Sequence, residues 1–372
     1  MSALAIYLVL DMKNSGEVVT LSPTPIVTPS PTPEVVKDKK DEFIKEMIDN
    51  MSIDEKIGQL FYVRYDGTDD ALDLGVGGII LFGRDFEDKT KEEVIALTSH
   101  LQEASKIKLF IGTDEEGGIV NRISINPNLR QEPFASAQDL YREGGMELVI
   151  SDATEKAELL KELGLNMDFA PVADVSEDPN DYIYERTFGK DADSTADYVR
   201  TVVSVFKDDG IASCLKHFPG YGNNVDTHEE IGHDDRDVTG FYENDFIPFE
   251  AGIQEDVDFI LVSHNIVQAF DDMPASLSKR VHELLRDELS YDGIIITDDL
   301  VMKGITDLYG AGQAAILALE AGNDMLLSTD YKTQISAIKE AYQKGEIDEE
   351  MIESSLYRII ERKIDLGLIS ID

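Results

Sequence analysis

Two stretches of this 372-residue chain hold side chains whose types and spacing could do covalent and proton chemistry. In "LKHFPGYGNNVDTHEE", Leu215 to Glu230, Lys216 and His217 are adjacent and Asp226 stands two places before His228. The chain has only 6 histidines, so two in one short segment is a concentration. Histidine titrates near neutrality, and a carboxylate partner fixes its tautomer and raises its pKa, so an Asp226–His228 pair could give and take a proton. In "GIIITDDL", Asp298 closes a run of β-formers, Ile294 to Thr297, whose extended backbone would hold a carboxylate rigidly enough to act as a nucleophile. The alternative is that Asp298 caps the following helix and Asp299 is the functional group. A metal reading of Asp226, His228 and His233 matches no standard ligand spacing. Serine hydrolase chemistry lacks its G-x-S-x-G elbow. Cys214, the only cysteine, reads as strand interior rather than as a nucleophile, and it excludes an intrachain disulfide.

Such groups need a scaffold that aims them at one place. Eight short apolar runs qualify as strands: "QLFYVRY" from Gln59, "GGIILF" from Gly77, "LFIGTD" from Leu109, "LNMDFAPV" from Leu165, "ASCLKHF" from Ala212, "FILVSHN" from Phe259, "GIIITDD" from Gly293 and "DMLLSTD" from Asp324. Most are continuously apolar, as in parallel strands buried on both faces. Helical patterns lie between most of them. "DSTADYVRTVVSVFKDDG" puts Ala196, Val199, Val203 and Phe206 on one side and stops at Gly210, and "SKRVHELLRDEL" and "GQAAILALEAG" behave likewise. This alternation predicts an α/β fold, a (β/α)8 TIM-like barrel, with a doubly wound open sheet as the runner-up. "GVGG" at Gly75 enters a strand rather than opening a helix, so it is no nucleotide loop.

In such a barrel the active site lies at the C-terminal strand ends. There the sequence places Asp114 followed by "EEGG", then Arg186, Lys216 and His217, Ser263 to Asn265, Asp298 and Asp299, and Asp330. This cup of carboxylates, cations and hydroxyls suits glycoside hydrolysis, which needs a carboxylate under the anomeric carbon and a proton donor beside the leaving oxygen. Blander readings stand beside it: Arg186 as an internal salt bridge, Lys216 and His217 as a satisfied core pair, Arg122 on the surface of a short helix, His228 as an ordinary loop histidine. Glu115 and Glu116 read as turn residues engaged by backbone N–H groups, and His233 and His264 as structural.

The motifs "GGIILF", "TDEEGGIVNR", "FAPVADV", "ERTFGKD", "KHFPGYG", "DTH", "PASLS" and "TDDLVMKGI", in this order between about Asp41 and Leu368, resemble glycoside hydrolase family 3 and its bacterial β-N-acetylglucosaminidase branch. The resemblance implies a retaining double displacement. It gives Asp298 as nucleophile, His228 paired with Asp226 as acid/base, and Asp114, Arg122, Arg186, Lys216 and His217 as sugar-binding residues, with no cofactor and no metal. It implies terminal β-linked N-acetylglucosamine as the group removed, from peptidoglycan fragments or chitooligosaccharides. Tyr221 stands where this branch often has histidine, and "NNV" before Asp226 is one residue shorter than the familiar pattern. Alternatives are a β-glucosidase or other family 3 β-glycosidase, and a non-catalytic envelope sugar-binding protein.

With 75 acidic and 33 basic residues the formal net charge is −42, a field that repels nucleic acid and anionic membrane. The expected partner, from the glycosidase reading, is a small carbohydrate, and the expected state is a monomer. "ALAIYLVL" from Ala3 is too short to span a bilayer and lacks a basic flank. "SPTPIVTPSPTPEVV", Ser22 to Val36, reads as an extended, unpacked linker. These features set the expected organisation as an N-terminal apolar and Pro/Ser/Thr-rich segment, 1–37, and one catalytic domain, 38–372, without membrane insertion by that domain. The linker points to an extracytoplasmic location, secreted or tethered to the envelope.

Overall fold

The computed structural model describes residues 33–224 and 232–371. Asp226, His228 and most of the segment read as a linker lie outside them. By internal packing the chain divides after Lys39, and Lys40–Asp372 carries the barrel. Helix Pro33–Asp49 opens on a proline, inside the stretch read as linker; proline suits the first helical position, where an N–H would have no intrahelical partner.

All eight apolar runs form strands: β1 (Phe61–Arg64), β2 (Gly78–Ile80), β3 (Phe110–Thr113), β4 (Met167–Asp168), β5 (Ala212–Phe218), β6 (Phe259–Val262), β7 (Ile294–Thr297) and β8 (Leu326–Ser328). They pair in parallel in the order β8-β1-β2-β3-β4-β5-β6-β7. The ends meet as well. Ile296 bridges Met325, the Thr297 N–H donates to the Met325 carbonyl at 3.2 Å, and the Leu327 N–H donates to Thr297 Oγ1 at 3.0 Å. The sheet is therefore a barrel and not the open runner-up. β4 is regular only over Met167–Asp168, although the Phe169 N–H still donates to the Thr113 carbonyl and the Cys214 N–H to the Ala170 carbonyl, both at 2.9 Å, before Pro171, which has no N–H to give to the ladder. Past the proline the Ala173 N–H reaches the Lys216 carbonyl at 2.8 Å.

Helices cover the outer face. Helix Ala192–Asp209 is capped by the Asp191 side chain, buries Ala196, Val199, Val203 and Phe206, and ends at Gly210 with φ 73°, a left-handed position that glycine takes without steric cost. A short parallel ribbon, His233–Asp234 against Ile266–Val267, lies outside the barrel beside β6 and exposes His233.

The N-terminal end of the barrel is closed by an unusual group. Helix Glu349–Asp365 delivers Lys363, fully buried, whose Nζ donates to Gln59 Oε1 at 2.8 Å and sits 5.1 Å from the Phe110 ring centre. Among the described residues no carboxylate ion-pairs with it. Burial lowers its pKa from 10.5 to about 7, so above pH 7 the folded chain has lost a proton that the unfolded chain keeps. Stability should therefore rise with pH between those two values, as the cost of that proton shrinks. Lys363→Met removes this cost and leaves one amide oxygen unpaired, for a net gain of about 1–2 kcal/mol at pH 7. In thermal melts the variant is expected to exceed the wild type at pH 7 by a few degrees, with the gap narrowing at pH 9. A gap that does not change with pH would show that Lys363 is not the titrating group.

Candidate active site

The chain leaves β3 into Asp114 and a tight turn. Glu115 is fully buried and accepts backbone N–H groups from Arg122 (2.7 Å), Ile123 (2.7 Å) and Ser124 (3.1 Å), as well as the Ser124 hydroxyl. It has the turn-holding role read from the sequence, and it fixes the loop after β3 from inside. Gly117 (φ 95°) lets this loop pass under residue 135, since a Cβ there would lie 2.3 Å from the Ala135 carbonyl oxygen. Asp168, at the end of β4, accepts the Glu115 N–H at 2.9 Å, and burial raises its carboxyl to about 7.

Glu116 departs from its sequence reading. It is not a turn residue held by backbone donors but the centre of a charge cluster. Its Oε1 lies 2.7 Å from Lys216 Nζ and 2.7 Å from Arg186 Nη2, and its Oε2 accepts from Arg186 Nε at 2.9 Å. Lys216 also donates to Asp114 Oδ1 at 2.7 Å. Burial opposes the charges of Glu116, Arg186 and Lys216 and is outweighed. Arg186 and Lys216 hold the Glu116 carboxyl well below the usual range, and Asp114 and Glu116 hold the Lys216 ammonium above its own. Asp114, Lys216, Glu116 and Arg186 thus alternate in sign, and Asp114 is the most open of them, with 19% of its side chain exposed against 3% for Lys216.

His217 continues the cluster. Arg186 Nη2 lies 3.2 Å from its Nε2, and arginine can only donate, so Nε2 accepts and Nδ1 carries the proton. That Nδ1–H points at Asp174 Oδ2, 2.7 Å away, and Asp174 also accepts the backbone N–H groups of His217 and Tyr221. The peptide between Lys216 and His217 is cis.

Asp298 follows β7 on the same rim. It is half-buried, and its N–H donates to the Val262 carbonyl at 3.1 Å while its Oδ1 accepts the Asp299 N–H at 2.8 Å. Asp299 turns the other way. Its Oδ2 accepts the Thr329 hydroxyl at 2.6 Å and its Oδ1 accepts N–H groups of Thr329 and Val301, so it ties the loops after β7 and β8 together. His264 is buried between the Ser276 hydroxyl (2.7 Å) and the Asp299 carbonyl (3.1 Å).

The structure therefore joins Asp114, Arg186, Lys216 and His217 in one bonded cluster and puts Asp298 on the same end of the barrel. Arg122 is set apart. The segment after "EEGG" forms bends and turns rather than a helix, and the Arg122 guanidinium faces the Phe82 ring at 5.8 Å without a hydrogen bond to the cluster. Among the described residues no three His, Cys, Asp or Glu side chains are arranged to hold a metal.

The model of the "Glycosyl hydrolase family 3 N terminal domain" matches residues 52–362. The chain belongs to glycoside hydrolase family 3. A protein named beta-hexosaminidase from Hydrogenovibrio crunogenus (strain DSM 25203 / XCL-2) is 33% identical over 262 residues, covering 69% of this chain and 72% of that protein. A solved family 3 β-N-acetylglucosaminidase from Paenibacillus sp. str. FPU-7 superposes with a TM-score of 0.80 at 31% identity, over 87% of this chain. This chain spans 65% of the Paenibacillus protein. LpqI of M tuberculosis superposes with a TM-score of 0.77 at 26% identity, covering 85% of this chain and 95% of that one.

Within this family 3 barrel, sequence reasoning passed over Asp174 and the pairing of Glu116. Asp174 lies in "FAPVADV", just beyond the end of β4, and its place on the rim was the available signal. Its partner His217 is 43 residues away, a separation that hides the pair in the sequence.

Proposed function

We propose that this family 3 chain is a retaining exo-β-N-acetylglucosaminidase (a β-N-acetylhexosaminidase), releasing terminal β-linked N-acetylglucosamine from peptidoglycan fragments or chitooligosaccharides. The observation that carries the reading is the rim itself. A carboxylate just past the end of β7, Asp298, shares the C-terminal rim of the barrel with a pre-paired Asp114–Lys216–Glu116–Arg186 cluster, in a chain whose relatives are named β-hexosaminidases.

The roles follow from the chemistry of each group. A sugar hydroxyl donates to the open carboxylate of Asp114 and accepts from Lys216 or Arg186, whose charges are already balanced and need no reorganisation. Asp298 attacks the anomeric carbon. A carbon–carboxylate bond forms as the bond to the leaving oxygen breaks, and that oxygen takes a proton. The donor is assigned to His228 with Asp226, which lie outside the described residues. The same imidazole then takes the proton of the water that releases the sugar, giving net retention by two inversions. We further propose that the chain is a monomer and, on the strength of its Pro/Ser/Thr-rich segment, that it acts outside the cytoplasm.

An aryl-glycoside panel tests this reading. The expected result is strong preference for the aryl β-N-acetylglucosaminide over the β-glucoside, with NMR showing the β-anomer formed first. A preference for the glucoside would sink the substrate, and an α-anomer would sink the mechanism. On the same panel His228→Ala should slow substrates with poor leaving groups on the order of 100-fold more than activated aryl glycosides, which need little protonation. Equal losses would remove His228 as the acid.

A further inference from the structure

Beside the charge cluster, between the ends of β1, β2 and β3, the rim opens into a cleft of about 560 Å3. Its walls include Arg64, Phe82, Arg84, Arg122 and Ile125. Arg64 is the last residue of β1, and its guanidinium lies 4.3 Å from the Phe82 ring centre, with Arg122 at 5.8 Å from the same ring. The Nε atoms of Arg64 and Arg122 are both buried without a hydrogen-bond acceptor among the described residues. Every other arginine among the described residues ion-pairs with a carboxylate. In a chain with 75 acidic side chains, two such unpaired guanidiniums sharing one cleft mark a place kept for an anion from outside. The carboxylates of the wall, Glu87 and Asp88, are both exposed, where water screens them.

The direction of the substrate sets what that anion belongs to. In an eight-stranded barrel β3 lies across from β7. A pyranose with its anomeric carbon over Asp298, after β7, and its hydroxyls on Asp114, after β3, points its non-reducing end toward the cleft. Its exocyclic C6 arm reaches farthest. We propose that the cleft is an anion subsite for a sulfate or phosphate ester on O6 of the terminal N-acetylglucosamine, gripped by Arg64 with Arg122 against the apolar wall of Phe82 and Ile125. This rests on the glycosidase reading above and extends it to 6-O-acidic substrates.

The test uses 4-nitrophenyl β-N-acetylglucosaminide, its 6-O-sulfate and its 6-phosphate. For the wild type, KM should be about tenfold lower for at least one ester than for the plain glycoside, and the advantage should shrink between 50 and 300 mM salt. Whichever ester gains more identifies the anion the cleft favours. Arg64→Gln should abolish the advantage while leaving turnover of the plain glycoside unchanged. Arg64→Lys, which keeps the charge but not the fork, should retain part of it and serves if the glutamine variant does not fold. Esters no better bound than the plain sugar, or an advantage that survives in both variants, would overturn the subsite. Calorimetric binding of N-acetylglucosamine 6-sulfate against N-acetylglucosamine reads the same subsite without catalysis. A chain that binds the sulfate through Arg64 but cleaves no glycoside would refute the function and not the cleft.

Discussion

Asp298→Asn is expected to lower kcat on aryl β-N-acetylglucosaminides by on the order of 10^4-fold, while the melting temperature moves by no more than a few degrees. The substitution keeps the shape of the side chain and an oxygen able to accept the Asp299 N–H, the bond seen at 2.8 Å. It removes the charge that would form the covalent bond, so the loss falls on chemistry and not on folding. The neighbour supplies the contrast. Asp299 spends its carboxylate on the Thr329 hydroxyl and on two backbone N–H groups, and burial raises its pKa. Asp299→Asn should therefore cost stability, through the loop after β8, more than it costs turnover on a folded sample. Adding azide to Asp298→Ala gives a second readout, because an external anion in the vacated space would displace the aryl group and yield the α-glycosyl azide. Full activity in Asp298→Asn, or a larger chemical loss at Asp299, would remove Asp298 as the nucleophile.

The contrast between two adjacent aspartates shows where sequence and structure part. The strands were legible because each buries both faces, so each reads as an apolar run, and their polar ends could be collected into one cup. Asp114, Lys216, His217 and Asp298 were found this way, each by its place at or beside a strand end. Pairing was not legible. Glu116 meets Arg186 across 70 residues, and no local pattern marks it as anything but a turn residue. Arg64 was hidden for a related reason. It sits within "QLFYVRY" and reads as one more strand position, and only the fold shows that it lines a cleft and ion-pairs with no carboxylate among the described residues. The regular part of β4 is shorter than its apolar run, which goes on to make single bonds to its neighbours around Pro171, a residue that is apolar but has no N–H for the ladder.

Glu116→Gln carries the largest expected loss of stability. The four charges of Asp114, Lys216, Glu116 and Arg186 sum to zero, so the cluster is neutral inside a chain of net charge −42. Removing the central carboxylate leaves Lys216 with one partner and Arg186 with none of its carboxylate bonds, and an uncompensated buried cation costs about 3–5 kcal/mol. The melting temperature should fall by on the order of 10 °C. The pH dependence separates this electrostatic cause from a packing defect. Glu116 is held below its ordinary 4.5, so its contribution is complete above that value and is lost as the pH falls toward the folded pKa. The gap between wild type and Glu116→Gln should accordingly be constant from pH 8 to pH 5 and close progressively below pH 4.5. On folded protein at low temperature KM for the aryl glycoside should rise more than kcat falls, because in the proposed mechanism Arg186 and Lys216 position hydroxyls and do not touch the bond that breaks. A gap that persists unchanged into acid would mean that Glu116 fills space and does not balance charge. The neutral cluster would then cease to explain how a strongly acidic barrel keeps two cations fixed at the rim proposed to bind the sugar.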